Sequence, residues 1–186
     1  MIRLTFGTLV LLSSIIAQQT KYVKTKVHEG ITIALPQEFS PMDEQELNRK
    51  FMGGKPPVAA FSDYSKTIDL GVNIAYSRWN EEDLRIMKSF YKANILGLYD
   101  EVEFLTESIE DINGRKFAVF EFVSTVNDVE GTTINQNSIS KFIRIQYAIV
   151  KGKTVLFNFS CPARVREQWA PIARQTLQSV KISKTL

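Results

Sequence analysis

Two spacings of apolar residues alternate along this chain, one of period two and one of period three to four. YVKTKVHEGITIALP, from residue 22, alternates apolar and polar side chains in two short pieces that meet at Glu29-Gly30. That pattern predicts a hairpin or a bulged strand, ended by Pro36. PMDEQELNRKFM predicts a short helix with acids near its start and Gly53-Gly54 past its end, and GGKPP reads as a loop. VAAFSDY and TIDLGVNIAYSRW are rich in β-branched and aromatic residues and predict the next two strands.

A helix is expected over 81–98. Asn80 is its N-cap, and Glu81, Glu82 and Asp83 fill a first turn where the backbone N–H groups favour negative charge. Leu84, Met87, Tyr91, Ile95 and Leu98 make one apolar stripe, which Ile86 and Phe90 widen.

VEFLTESIEDINGRKFAVFEFVSTV holds Asn113-Gly114, a pair suited to the positive φ angles of a type I′ turn, so two long antiparallel strands should flank it. The stretch 127–138 is polar and aperiodic and reads as a surface loop. SISKFIRIQYAIVKGKTVLFNFS then predicts a second hairpin turning near Lys151-Gly152. Ile139, Ile143, Ile145, Tyr147 and Ile149 share one parity and should face the core; Phe142, Arg144, Gln146 and Ala148 share the other. In the last helix Val165, Trp169, Ile172, Ala173, Thr176 and Val180 fall on one side, and Pro171 should kink or split it.

Tight turns between successive strands require antiparallel pairing. Both parities carry apolar residues, as in Phe117, Val119 and Val123 against Ala118, Phe120 and Phe122. The expected fold class is therefore α+β: an antiparallel β-sheet covered by helices on both faces.

The N-terminus changes the picture of location. Arg3 precedes an apolar run over 4–16, with small Ala17 before a polar sequel, which is the pattern of a secretory signal peptide cleaved after residue 17. The run is shorter than the about 20 residues that span a bilayer. Residues 18–186 are then expected to form one periplasmic or secreted domain with no transmembrane segment, the setting of a bacterial envelope protein. One cysteine permits no internal disulfide. A formal net charge of +3 argues against a nucleic-acid binder. The clusters Lys21, Lys24, Lys26 and Lys141, Arg144, Lys151, Lys153 read as solvated edges and turns.

Candidate chemistry is sparse. Cys161 shares its parity with Val155, Phe157 and Phe159, so it reads as a core thiol; the other reading makes it an N-cap with Pro162 as first helical residue. A nucleophile would need a base, and the single histidine, His28, lies on a distant short strand beside Lys26 and Glu29. No set of ligands at zinc spacing is present, and Glu81-Glu82-Asp83 lacks the glycine-centred alternation of a calcium loop. The acceptor pattern at Asn158 lies within a predicted strand and reads as chance. Tyr76 and Trp79 are expected to pack in the core, the other reading being an exposed recognition aromatic. Neither a nucleophile elbow nor a nucleotide-binding glycine motif occurs. The expectation is no catalytic, cofactor-binding or metal residue, no cofactor, and no enzymatic activity.

The hairpin with GITIALPQEFS, a middle helix after paired strands, and the terminal KTVLFNFSCPARVREQWAPIARQTLQSVKI together resemble the PsbP-like superfamily. That superfamily of α/β/α sandwiches includes the photosystem II extrinsic subunit PsbP, the yeast Ran-binding Mog protein and the periplasmic DcrB. The resemblance spans about 23–182 and implies a non-enzymatic accessory domain that docks on a protein or cell-envelope partner. Its partner-binding residues are not identified by any motif, and the role of loop 127–138 stays open. The alternative is a small-molecule or lipid carrier with a ligand between the sheet and the 81–98 helix; an enzyme requires a base beside an exposed Cys161.

Overall fold

The computed structural model describes residues 20–52, 54–127, 138–184 and 186. The expected leader at 1–17 and all but the two end residues of the loop at 127–138 lie outside them. Strands β1 (Tyr22–His28) and β2 (Ile31–Pro36) form the predicted hairpin, with Gly30 at φ 75° in its turn and a bulge after Lys26. Short β3 (Ser40–Pro41) precedes α1 (Glu44–Lys50), which Asp43 caps by accepting from Glu46 N at 2.8 Å. Then come β4 (Ala59–Ser62), β5 (Asp69–Tyr76), a 3₁₀ turn (Glu81–Asp83) and α2 (Leu84–Leu98). The two long hairpins follow as β6 (Glu101–Ile112), β7 (Arg115–Asn127), β8 (Ser138–Val150) and β9 (Lys153–Pro162). A second 3₁₀ turn (Ala163–Val165), α3 (Arg166–Gln178) and β10 (Lys181–Ile182) complete the described chain.

Every strand pairing is antiparallel. Asn113 and Gly114 sit at φ 53° and 78°, and Lys151 and Gly152 at 48° and 70°. Two consecutive left-handed residues are what a type I′ turn demands, and such a turn matches the strand twist of each hairpin.

The expected single sheet is divided in two. Seven strands run in the order β3-β4-β5-β9-β8-β7-β6, while β1 and β2 are joined by β10 into a separate three-stranded sheet. The amphipathic first hairpin cannot be seated by local pattern alone; its inner residues Ile31, Ile33 and Leu35 are covered by α3 and the large sheet. On that face they meet Val119, Phe142, Phe157, Phe159 and Trp169. On the other face Leu84, Met87 and Ile95 of α2 pack against Phe120, Phe122, Ile145 and Tyr147. Each large apolar side chain so buried contributes roughly 1.5–3 kcal/mol. Helical cover on both faces is thus as expected.

Several positional expectations need correction. On β8 the parity expected to face away from the core, Phe142 to Ala148 in steps of two, is as buried as the isoleucine face, because a central strand between two covered faces has no solvent side. Ile139, near the strand's start, is exposed. On α2, Leu98, Ile86 and Phe90 lie outside the buried stripe. In α3 the buried set is Trp169, Ala170, Ala173, Thr176 and Leu177, with Val165 and Ile172 only half-buried. The helix runs unbroken through Pro171, which lies on its exposed side, where a carbonyl freed one turn earlier can be hydrated.

Candidate functional site

Cys161 ends the inward face of β9, directly across from Phe142, and is 1% exposed. Burial pushes its thiol up to about 11, the opposite of what a nucleophile requires. His28 lies on the edge strand β1 with its Nδ1 2.9 Å from its neighbour's carbonyl, and among the described residues no hydrogen bond joins it to the thiol. The core reading of Cys161 stands, and its N-cap alternative fails: the strand continues through Pro162 and α3 begins only at Arg166.

The acidic run behaves as a helix start. Asp83 accepts from Asn80 N at 2.8 Å, and Glu81 reaches Arg115 at 3.4 Å. Among the described residues no cluster of three or more His, Cys, Asp or Glu is placed to hold a metal ion. Tyr76 is a correction: it is exposed at the end of β5, with Lys153 over its ring at 5.8 Å. Trp79 is half-buried against Phe90, ring centroids 5.9 Å apart. Asn158 lies in β9 as expected.

Sequence reasoning missed a charged cluster under α3. Glu121 of β7 and Arg144 of β8 are cross-strand partners, 0% and 2% exposed, with Arg144 Nη1 donating to Glu121 Oε1 at 2.5 Å. Arg174 of α3 donates from Nε and Nη2 to the two oxygens of Glu121, at 2.8 and 2.6 Å. Arg144 Nη2 also donates to Glu110 at 3.1 Å. Burial pushes the Glu121 carboxyl up, but the hydrogen bonds from Arg174 and Arg144 outweigh it and hold the group below its usual range. Two neighbouring strands each carrying one charge inside an apolar run, AVFEFV and KFIRIQY, were the available signal. α3 covers Glu121 and Arg144 while Arg174 keeps half of its side chain in solvent, so the cluster ties α3 to the sheet.

Two surface features remain. Ile86 and Phe90, 64% and 50% exposed, stand on the outer side of α2 above Ser89, Ala93 and Gly97, also exposed, which recur every fourth residue. No charged residue interrupts that stripe, although a solvent-facing helix normally carries charge there. At the turn end of the hairpins, beside the start of α2, a groove of ≈ 700 Å³ opens between the 3₁₀ turn and the two type I′ turns. Between α2 and the sheet, by contrast, Tyr91 stacks on Tyr147 at 4.1 Å, and the space where a carrier would lodge its ligand is filled by side chains.

No protein-family model and no curated protein matches the chain. Solved structures do. Cyanobacterial PsbP (CyanoP) from Synechocystis sp. PCC 6803 superposes with a TM-score of 0.55 at 14% identity, covering 95% of this chain and 98% of that one. LpqN of Mycobacterium tuberculosis, described as involved in cell envelope biogenesis, gives 0.55 at 9% identity over 87% and 91% of the two chains. The Saccharomyces cerevisiae Ran-binding protein Mog1p gives 0.52 at 11% over 90% and 98%. At such identities the likeness establishes the fold alone, an α+β sandwich that this chain shares with those three structures, and leaves function to the surface.

Proposed function

We propose that residues 18–186 form one domain, exported and cleaved after Ala17, that serves as a non-enzymatic accessory protein and docks on a protein partner through the outer face of α2. The exposed, uncharged ridge of Ile86 and Phe90 carries this reading, because apolar side chains above a furrow of small residues offer a surface that another protein's side chains can fill. The leader pattern over 1–17 supports export, and among the described residues no helix is long and apolar enough to cross a membrane. Similarly folded proteins include a Ran-binding protein and one involved in envelope biogenesis, which agrees with a scaffold used for association.

The test is a crosslinked pull-down from envelope extract with the natural chain and with Phe90→Asp and Ile86→Asp, both checked for unchanged thermal unfolding. A partner retained by the natural chain should bind either variant about tenfold or more weakly, as for a central contact residue. Equal retention by all three overturns the assignment of the α2 face.

A further inference from the structure

The outer face of α2 is complementary to itself. It carries three large apolar side chains, Ile86, Phe90 and Leu96, 64%, 50% and 52% exposed, and three exposed small residues, Ser89, Ala93 and Gly97. Nothing lies within 4 Å of a methyl group added at Gly97, so that position is open surface. Large and small residues are placed reciprocally. Positions 86 and 90 lie as far before the middle of the helix, between Tyr91 and Lys92, as 97 and 93 lie after it, and 89 and 96 straddle nearly the same point.

A second α2 running antiparallel about a two-fold axis through that point sets Ile86 against Gly97, Phe90 against Ala93 and Leu96 against Ser89 of the other copy, and each contact occurs twice. The flanks match as well. With 3.6 residues per turn, Ile86 and Gly97 lie to one side of Ala93 while Ser89 and Leu96 lie to the other, and a two-fold axis perpendicular to both helices brings like flanks together. Steps of four, three and four from Ile86 through Phe90 and Ala93 to Gly97 are those of a coiled-coil seam, in which knobs enter holes of the facing helix.

Charge favours the same pairing. A two-fold axis sets like against like, so a face that meets its own copy must be free of unopposed charge. Lys88 and Lys92 are drawn aside to Glu107 of β6, at 2.8 and 2.5 Å, which leaves the outer line of the helix neutral from Ile86 to Leu98.

We infer that α2 pairs antiparallel with α2 of a second copy of this chain, giving a two-fold symmetric dimer. This rests on the docking surface proposed above and names its occupant. An unrelated partner needs a ridge and a furrow but not their reciprocal placement about one point, which only a second copy uses. Two helix faces about 22 Å long bury less than the about 800 Å² per partner of a standard interface, so the dimer is weak, with a dissociation constant of roughly 1–100 µM.

Sedimentation of the protein purified from the cell, across roughly 1 µM to 1 mM, should show concentration-dependent dimers, and Phe90→Asp, with thermal unfolding unchanged, should raise the dissociation constant about tenfold or more. Disulfide trapping with oxidised glutathione reads the register. A mixture of Ile86→Cys and Gly97→Cys chains should give a covalent dimer, and either variant alone should give little. Equal positions lie about 16 Å apart along the antiparallel pair, beyond the about 7 Å between Cα atoms that a disulfide spans. The natural Cys161 is buried and does not compete. A chain still monomeric at about 1 mM, or a mixture that crosslinks no better than the single variants, overturns the inference. If Phe90→Asp then still loses a partner in the pull-down, the docking reading of α2 stands without it; if the variant changes neither result, both fail.

Discussion

Replacing Glu121 by Gln tests the physical account of the α3 layer most directly. Glu121 is fully buried and accepts three charge-assisted hydrogen bonds, two from Arg174 and one from Arg144. The substitution leaves the Arg144 guanidinium, 2% exposed, with Glu110 as its one remaining carboxylate. Removing one member of a buried pair strands the other's charge, which costs about 3–5 kcal/mol, a large share of the roughly 5–15 kcal/mol that holds a domain folded. With a urea m-value of about 2 kcal/mol/M, the midpoint should fall by roughly 1.5–2.5 M. Arg174→Gln should cost only about 1 kcal/mol, since that side chain is 48% exposed and water replaces part of what it loses.

Sign and compensation sharpen the test. The Glu121 pKa is depressed on folding, so its contribution is fully present above the unfolded carboxylate value of about 4.3 and is lost as pH falls through the folded value; the variant should show a shallower loss of stability in acid. Asp69 works the other way, because burial raises its carboxyl, so its cost to folding is relieved in acid. Glu121→Leu combined with Arg144→Met should recover most of the deficit, as apolar replacements of both partners do. A Glu121→Gln variant within about 1 kcal/mol of the natural chain, or a double variant as unstable as the sum of the singles, refutes this reasoning.

Two further outcomes follow from local geometry. Cys161 should react with a neutral-pH disulfide reagent no faster than global unfolding allows and become fully labelled in denaturant; prompt labelling of the folded chain contradicts its buried placement. Gly97→Ala, at an exposed α2 position with nothing within 4 Å of the added methyl, should raise stability by about 0.5–1 kcal/mol in urea unfolding, and a loss there means that the helix end is not helical as described.

Much of the sandwich was legible because its signals are local. Asn113-Gly114 and Lys151-Gly152 fixed the long hairpins through backbone preferences that tertiary contacts do not override. Parity placed Cys161 inward. What stayed hidden depends on which layer lies above a strand. Whether Ile86 is buried or Arg144 is covered turns on the position of α2 and α3, and periodicity within one element contains no such information. The separation of β1 and β2 from the large sheet had the same cause: their seat is completed by β10, which follows them by about 150 residues. Of the surface features, the hairpin-end groove gathers residues from four distant stretches, so no contiguous motif announced it.

That pairing of β10 with β2 carries a consequence for how the molecule is made. Lys181 and Ile182 lie opposite Thr32 and Ile31, and Ser183 N donates to Gly30 O at 2.7 Å, so the β1–β2 hairpin gains its third strand from a stretch about 150 residues further along the chain. A contact between stretches so distant closes a large loop, so the small sheet is expected to form after the long hairpins, whose turns are local.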